Sequence, residues 1–257
     1  MYTSVFMDLL PFWLLTILSI LIVSISIEAG WRLGSRLSNK DRKGTKPSIS
    51  IAVGATMGLL SFLLAFTFGM AAARYDVRQG NVVLEANAVG TVYLRTDFLP
   101  VSQRDEARQL LHDYLLIRSG GSSSILSEEG RSKTKNIHDR LWQIGTSAVQ
   151  QSDSISVGLF IDSLNDMIDM NTSRVTGLQN QLPDNIWLML TVVTVIAMTS
   201  LGFEFGLSGN RRWVGTILLI IAFTTVIILT ADLDRPQEGL IEISQQPLLD
   251  LLTEISK

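Results

Sequence analysis

Residues 48–73 form a run of 26 without a single charge, and the chain then meets Arg74, Asp76 and Arg78 with no proline or loop signal between. A bilayer's hydrocarbon core takes about 20 apolar residues at the helical rise of roughly 1.5 Å. Backbone groups in lipid must be satisfied within the segment, which leaves helix as the only form for such a run. The stretch therefore reads as one membrane-spanning helix that continues out of the bilayer as a water-exposed rod, as far as Arg95.

Three further uncharged windows, 9–27, 185–203 and 213–231, are each 19 residues long. The expected architecture is all-α: a polytopic membrane protein with four transmembrane helices and a helical-bundle domain inserted between spans two and three. The boundaries read as 1–73 for spans one and two with their connector, 74–183 for the helical domain, 184–231 for spans three and four, and 232–257 for an amphipathic tail. The first window has no Lys or Arg before it and no small-residue cleavage pattern after it, so it reads as a retained helix and not a signal peptide.

Composition narrows the chemistry. There is no cysteine, so disulfide frameworks and thiolate sites are excluded, and with only His112 and His138 so is a histidine-rich metal site. No Ser/His/Asp set, phosphate-cradling glycine loop or zinc spacing occurs. Neither an enzyme nor a cofactor or metal protein is expected, and at a net charge of -3 no nucleic-acid partner is. Asp162, Asp166 and Asp169 share a helix face but lack the turn and carbonyl ligands of a calcium loop, so a solvated face is the favoured reading.

Charge placement gives an orientation. The connector between the first two spans carries Arg32, Arg36, Lys40, Arg42, Lys43 and Lys46 against Glu28 and Asp41, and the connector after span three carries Arg211 and Arg212 against Glu204. By the positive-inside rule both face the cytoplasm, with both termini and the helical domain on the outer face. The polybasic connector is also suited to anionic lipid head groups, though topology accounts for it. Trp13, Trp31, Trp187 and Trp213 sit near span ends, as interfacial rings do.

Span two carries small residues at Gly54, Gly58, Ala65, Gly69 and Ala73, a spacing that lets helices approach closely, within one bundle or between subunits. Two stripes at steps of three and four run on along the rod. One is apolar through Phe68, Tyr75, Val82 and Val89. The other, Leu60, Leu64, Thr67, Ala71, Arg74, Arg78, Asn81 and Glu85, changes from apolar to charged and suits either a water-filled path or a solvated face. The rod should end near Pro100, since a following proline pushes Leu99 out of helical geometry. Ser102 then reads as an N-cap, residues 119–124 as a flexible Ser/Gly linker, and Ile137, Leu141, Ile144 and Ala148 as the seam of a third soluble helix. A fourth carries Ile161, Leu164, Ile168, Asn171, Val175 and Leu178, and Asp184 caps the third span. Glu204, embedded in an apolar run, is a functional candidate with Arg211 or Arg212 as a structural counter-charge. The tail, through Leu248, Leu249, Leu251 and Leu252, is expected to fold back onto the helical domain.

Leu63-Leu64-Ala65-Phe66-Thr67-Phe68-Gly69-Met70-Ala71-Ala72-Ala73-Arg74-Tyr75-Asp76, then Glu85-Ala86-Asn87-Ala88-Val89-Gly90-Thr91 with Tyr93-Leu94-Arg95, resemble the hallmark of the bestrophin-like domain family of bacterial membrane proteins. So do Asp232-Leu233-Asp234-Arg235-Pro236 and Ser244-Gln245-Gln246-Pro247 near the end, which make Asp232, Asp234 and Arg235 candidates beside Glu85. The family has no assigned biochemical activity. Its resemblance to bestrophins implies a pentameric anion channel whose second span lines the pore and continues into a long helical domain. It also implies a cytoplasmic helical domain, the reverse of the orientation given by charge. Gln237 stands where the bestrophin tail pattern has Phe.

Two functions are thus expected in competition. One is a homo-oligomeric ion channel passing inorganic anions along Leu60, Leu64, Thr67, Ala71, Arg74 and Arg78. The other is a non-conducting membrane protein whose helical domain binds a protein or cell-envelope partner.

Overall fold

A computed structural model of the chain describes residues 10–38, 46–151, 155–209, 213–236 and 239–256. Among these the protein is all-helical: α1 (Phe12–Ser38), α2 (Lys46–Arg95), α3 (Val101–Ser119), α4 (Gly121–Leu126), α5 (Glu128–Gln151), α6 (Ile155–Gln179), α7 (Asp184–Ser208), α8 (Trp213–Asp234) and α9 (Gln246–Ile255), with a 3-10 turn at Thr96–Phe98. Four helical segments are long and apolar enough to cross a membrane. The 50-residue α2 is unbroken. It stops where the sequence predicts, for Leu99 before Pro100 is extended at φ -84° and ψ 153°.

The chain divides into two compact units. One comprises Met1–Ala73 and Gln181–Ile241, the other Arg74–Asn180 and Glu242–Lys257. The tail is therefore split: residues up to Ile241 go with the first unit and those from Glu242 with the second.

The membrane unit has a core of Val23 and Ile27 from α1, Leu60 and Leu64 from α2, and Leu190, Ala197 and Met198 from α7. Glycine sets how closely α1 and α7 approach. Gly30 and Gly34 of α1 face Thr199, Phe203 and Gly206, Gly202 and Gly206 of α7 face Ile27, Trp31 and Gly34, and a Cβ at any of the four glycines would fall well under 3.0 Å from facing backbone. This is small-xxx-small packing. It does not use the small residues of span two: Gly54, Gly58, Ala65, Gly69 and Ala73 are exposed, and among the described residues nothing lies within 4 Å of a Cβ built at Gly54, Gly58 or Gly69.

The other unit, the one expected to be soluble, packs α3, α5, α6 and α9 around residues 74–95 of α2. Val82, Val89, Leu111, Leu115, Leu141, Phe160, Leu164, Met167 and Leu248 are sealed in its core. The expected seam of α5 is buried throughout. The face of α6 is turned from the expected one: Val157, Phe160, Ser163 and Met167 go inside with Leu164 and Leu178, while Ile161, Ile168 and Val175 flank them. The tail folds back as expected, with Ile243 and Leu248 buried.

Three local expectations give way. Residues 121–126 are helix α4 and not a linker, because Gly121 takes φ 81° at the corner, Ser124 Oγ donates to the Ile117 carbonyl at 3.2 Å, and Ile125 plugs the core. Ser102 is no cap: α3 starts earlier, at Val101, with Pro100 in the capping position. Asp184 likewise lies inside the first turn of α7, with Pro183 before it and no side-chain cap.

Candidate functional site

Helix α2 has two unlike faces. The stripe read as pore-lining is the inner one: Leu60, Leu64, Thr67, Ala71, Arg78 and Glu85 are buried and Arg74 half-buried. Leu60 and Leu64 lie in the membrane unit's own core, so neither is open to a water-filled path. Thr67 turns its hydroxyl back onto the Leu63 carbonyl at 2.7 Å. On the opposite side of the same helix, Ala55, Leu59, Phe62, Phe66, Gly69, Ala73 and Asp76 follow one another at steps of four and three, and all are exposed. Phe62 and Phe66 stack with centroids 6.5 Å apart.

The two arginines serve the fold. Arg78 Nε donates to the Gly177 carbonyl at 3.0 Å and Nη2 to the Asn180 carbonyl at 2.8 Å. Arg74 Nη1 reaches Asn180 Oδ1 at 3.4 Å. The last carbonyls of a helix have no partners within it and carry partial negative charge, so a guanidinium there both caps and neutralises the end of α6.

Glu85 anchors a buried polar cluster. Arg118 Nε and Tyr114 Oη both donate to Glu85 Oε1, at 2.6 and 2.5 Å, while Arg174 Nη1 donates to Oε2. Arg174 Nη2 also donates to Gln245 Oε1 and, at 3.3 Å, to the Arg118 carbonyl. Burial works against a charge on Glu85, but the Arg118 and Arg174 guanidiniums outweigh it and hold the carboxyl below its usual range. Burial, and then Glu85, push the Tyr114 hydroxyl well above its ordinary value. His138, its ring 5.4 Å from that of Tyr114, is driven down to about 4, by burial first and Arg118 second. It is a neutral core histidine near neutral pH.

The remaining candidates close chain segments together within the membrane unit. Asp234 accepts the Leu182 amide on both oxygens, at 2.9 and 3.0 Å, fixing the start of span three to the end of span four. Asp232 accepts the Leu240 and Ile241 amides at 2.7 and 3.2 Å. Its carboxylate fills the space a side chain would need at Gly239, which takes φ 156° there. Arg235 Nη1 donates to the Leu10 carbonyl at 2.8 Å. Glu204 is half-buried near the end of α7, and its expected partners Arg211 and Arg212, like Gln237, lie outside the described residues. Asp162, Asp166 and Asp169 are exposed, and among the described residues no group of three or more His, Asp or Glu could hold a metal ion.

Four helical segments able to cross a membrane, a 50-residue unbroken helix and a buried salt-bridged cluster define an all-helical membrane protein. The chain belongs to the Bestrophin-like domain family, whose model it matches over residues 20–248. No curated protein matches the sequence. Among solved structures it is similar to a bacterial Bestrophin homolog from Klebsiella pneumoniae, at a TM-score of 0.63 and 15% identity over 94% of both chains. A point variant of that homolog gives 0.62 and 15%, covering 94% of this chain and 95% of the other. A third, described as a membrane protein with a point mutation, gives 0.62 and 16% over 95% of both. At such identities the likeness is one of fold.

Proposed function

We propose that the protein is a homo-oligomeric ion channel, a pentamer on the bestrophin pattern, in which the open face of α2 lines the pore. The observation that carries this reading is the uncovered seam Ala55, Leu59, Phe62, Phe66, Gly69, Ala73 and Asp76, opposite the face that the chain covers with its own residues. Around an axis, Phe62 and Phe66 form two apolar rings, a constriction of the kind that gates by dewetting. The pore-lining role expected of Leu60, Leu64, Thr67, Ala71, Arg74 and Arg78 passes to this seam.

The sign of the permeant ion follows from the same register. Arg74 and Arg78 are engaged at the end of α6, whereas Asp76 is the first charge on the open seam. A ring of carboxylates favours cations. A small inorganic cation therefore replaces the anion that the resemblance to bestrophins implies. The membrane is the bacterial inner membrane, with the basic connectors on the cytoplasmic side. A reporter fused after Lys257 checks this: a cytoplasmic signal reverses the orientation.

Purified protein in planar bilayers under a salt gradient tests the channel. Current whose reversal potential favours the cation, and moves toward zero selectivity in Asp76→Asn, supports the reading. Absence of current from wild type and from both Phe62→Ala and Phe66→Ala sinks it. A second reading, docking of a protein or envelope partner, is favoured by exposed Val77, Leu84, Leu94 and Val101 on the soluble unit. A monomeric mass in detergent favours that reading, and a five-fold mass the channel.

A further inference from the structure

The membrane unit contains a cavity of about 490 Å³ between α1, α7 and α8, bounded by Leu15 and Ile22, Leu188, and Ile227. It lies within the size range of sites that bury a small ligand. Its wall includes three hydroxyls, but each is turned back onto its own helix: Thr16 to the Phe12 carbonyl at 3.1 Å, Ser19 to the Thr16 carbonyl at 2.9 Å, and Thr191 to the Trp187 carbonyl at 2.8 Å. A hydroxyl so satisfied offers a ligand little, and the wall is chemically a hydrocarbon surface.

Apart from these hydroxyls, the polar side chains of the wall, Asp184, Asn185 and Trp187, share one turn of α7. Asp184 and Trp187, both lining the cavity, each carry a buried polar atom without a hydrogen-bond partner among the described residues, Oδ1 and Nε1 respectively. An orphaned acceptor and an orphaned donor in one turn of α7 are costly unless something meets them. The sequence assigns Asp184 to capping, yet it lies in the first turn after Pro183, and its Oδ1 accepts no helix amide. Leu10 also lines the cavity, and its carbonyl accepts from Arg235 Nη1 at 2.8 Å.

We propose that this cavity is a binding site for one phospholipid with a primary-amine zwitterionic head group, of the phosphatidylethanolamine type. An acyl chain occupies the apolar part. The ammonium donates to Asp184, and a phosphate oxygen accepts the Trp187 indole N–H. Asp184 is what separates this lipid from phosphatidylcholine, whose quaternary nitrogen has no N–H to give. One charge-assisted hydrogen bond corresponds to a preference of about tenfold.

The test is native mass spectrometry of the full-length protein, purified in detergent and exposed to equal phosphatidylethanolamine and phosphatidylcholine of matched chain length. Wild type is expected to retain one phosphatidylethanolamine per chain, at about ten times the phosphatidylcholine signal. Asp184→Asn should bring the ratio close to one. Trp187→Phe, which keeps the ring and loses the donor, should weaken both lipids while leaving the preference intact. Equal retention by wild type, or an unchanged ratio in Asp184→Asn, overturns the proposal. So does rapid disulfide linkage between copies of Leu188→Cys in an otherwise cysteine-free chain, which would show a second subunit covering the cavity.

Discussion

Arg118 donates its Nε–H to Glu85 at 2.6 Å, joining positions 33 apart in the chain, and both side chains are almost wholly buried. With Arg174 on the other carboxylate oxygen, one negative charge serves two positive ones in the soluble core. Removing one member of such a set leaves the others charged and unpaired, at a cost of about 3–5 kcal/mol. Glu85→Gln should therefore destabilise the soluble unit by about that much, read as a lowered midpoint in thermal unfolding. Replacing Arg174 by Met should cost less, because Arg118 and Tyr114 remain on the carboxylate. Equal loss in the two variants would contradict that ordering.

His138 makes stability depend on pH. Its folded-state value is about 4 against an ordinary 6.5, so between those limits the unfolded chain binds a proton that the folded chain does not. The contribution is whole above about pH 6.5, is lost progressively as pH falls, and is gone below about 4; a shift of this size corresponds to about 3 kcal/mol. Thermal midpoints measured from pH 7 to 4 should fall, and His138→Gln should flatten that limb. A variant that falls as steeply as wild type would remove His138 as its cause.

Gly202 and Gly69 should behave as opposites. A methyl at Gly202 meets the Ile27 backbone, which can yield only by moving α1 away from α7, whereas a methyl at Gly69 meets nothing among the described residues. Overpacking of this kind costs about 1–3 kcal/mol or more. Gly202→Ala should lower the thermal midpoint in detergent, and Gly69→Ala should leave it unchanged while altering assembly mass or conductance.

That contrast marks what a single sequence can disclose here. The four windows were legible because charge is so costly in hydrocarbon that its absence over 19 residues or more is informative. Which face of span two points inward was not legible. Lipid tails are as apolar as leucine, so Leu60 in the core and Phe62 on the outside carry the same signal. Gly30, Gly34, Gly202 and Gly206 were missed because they lie beside Trp31, Arg32 and Glu204, at the polar ends of their windows; their four-residue spacing was the available clue. Glu85 read as one charge in a solvated run, since its partners at 118 and 174 are distant in sequence and only the fold unites them.

Arg78→Met removes two donors from the end of α6 and should cost about 3–6 kcal/mol, given that hydrogen bonds involving a charged group contribute roughly 1.5–3 kcal/mol each. Hydrogen exchange should quicken in the last turn of α6, near Gly177. The reversal potential of any current should not move. A shift in selectivity would return Arg78 to the pore.

The hydroxyls of the spans have a consequence for how this protein is made. Ser26, Thr56, Thr67, Thr194, Ser200 and Thr230 each donate to a carbonyl three or four residues back in their own helix, at 2.6 to 3.0 Å. Each span can thus leave the translocon with these polar groups already satisfied, needing no neighbour to shield them. Insertion and assembly become separable stages, and the glycine contact between α1 and α7 is then formed by helices already resident in the bilayer.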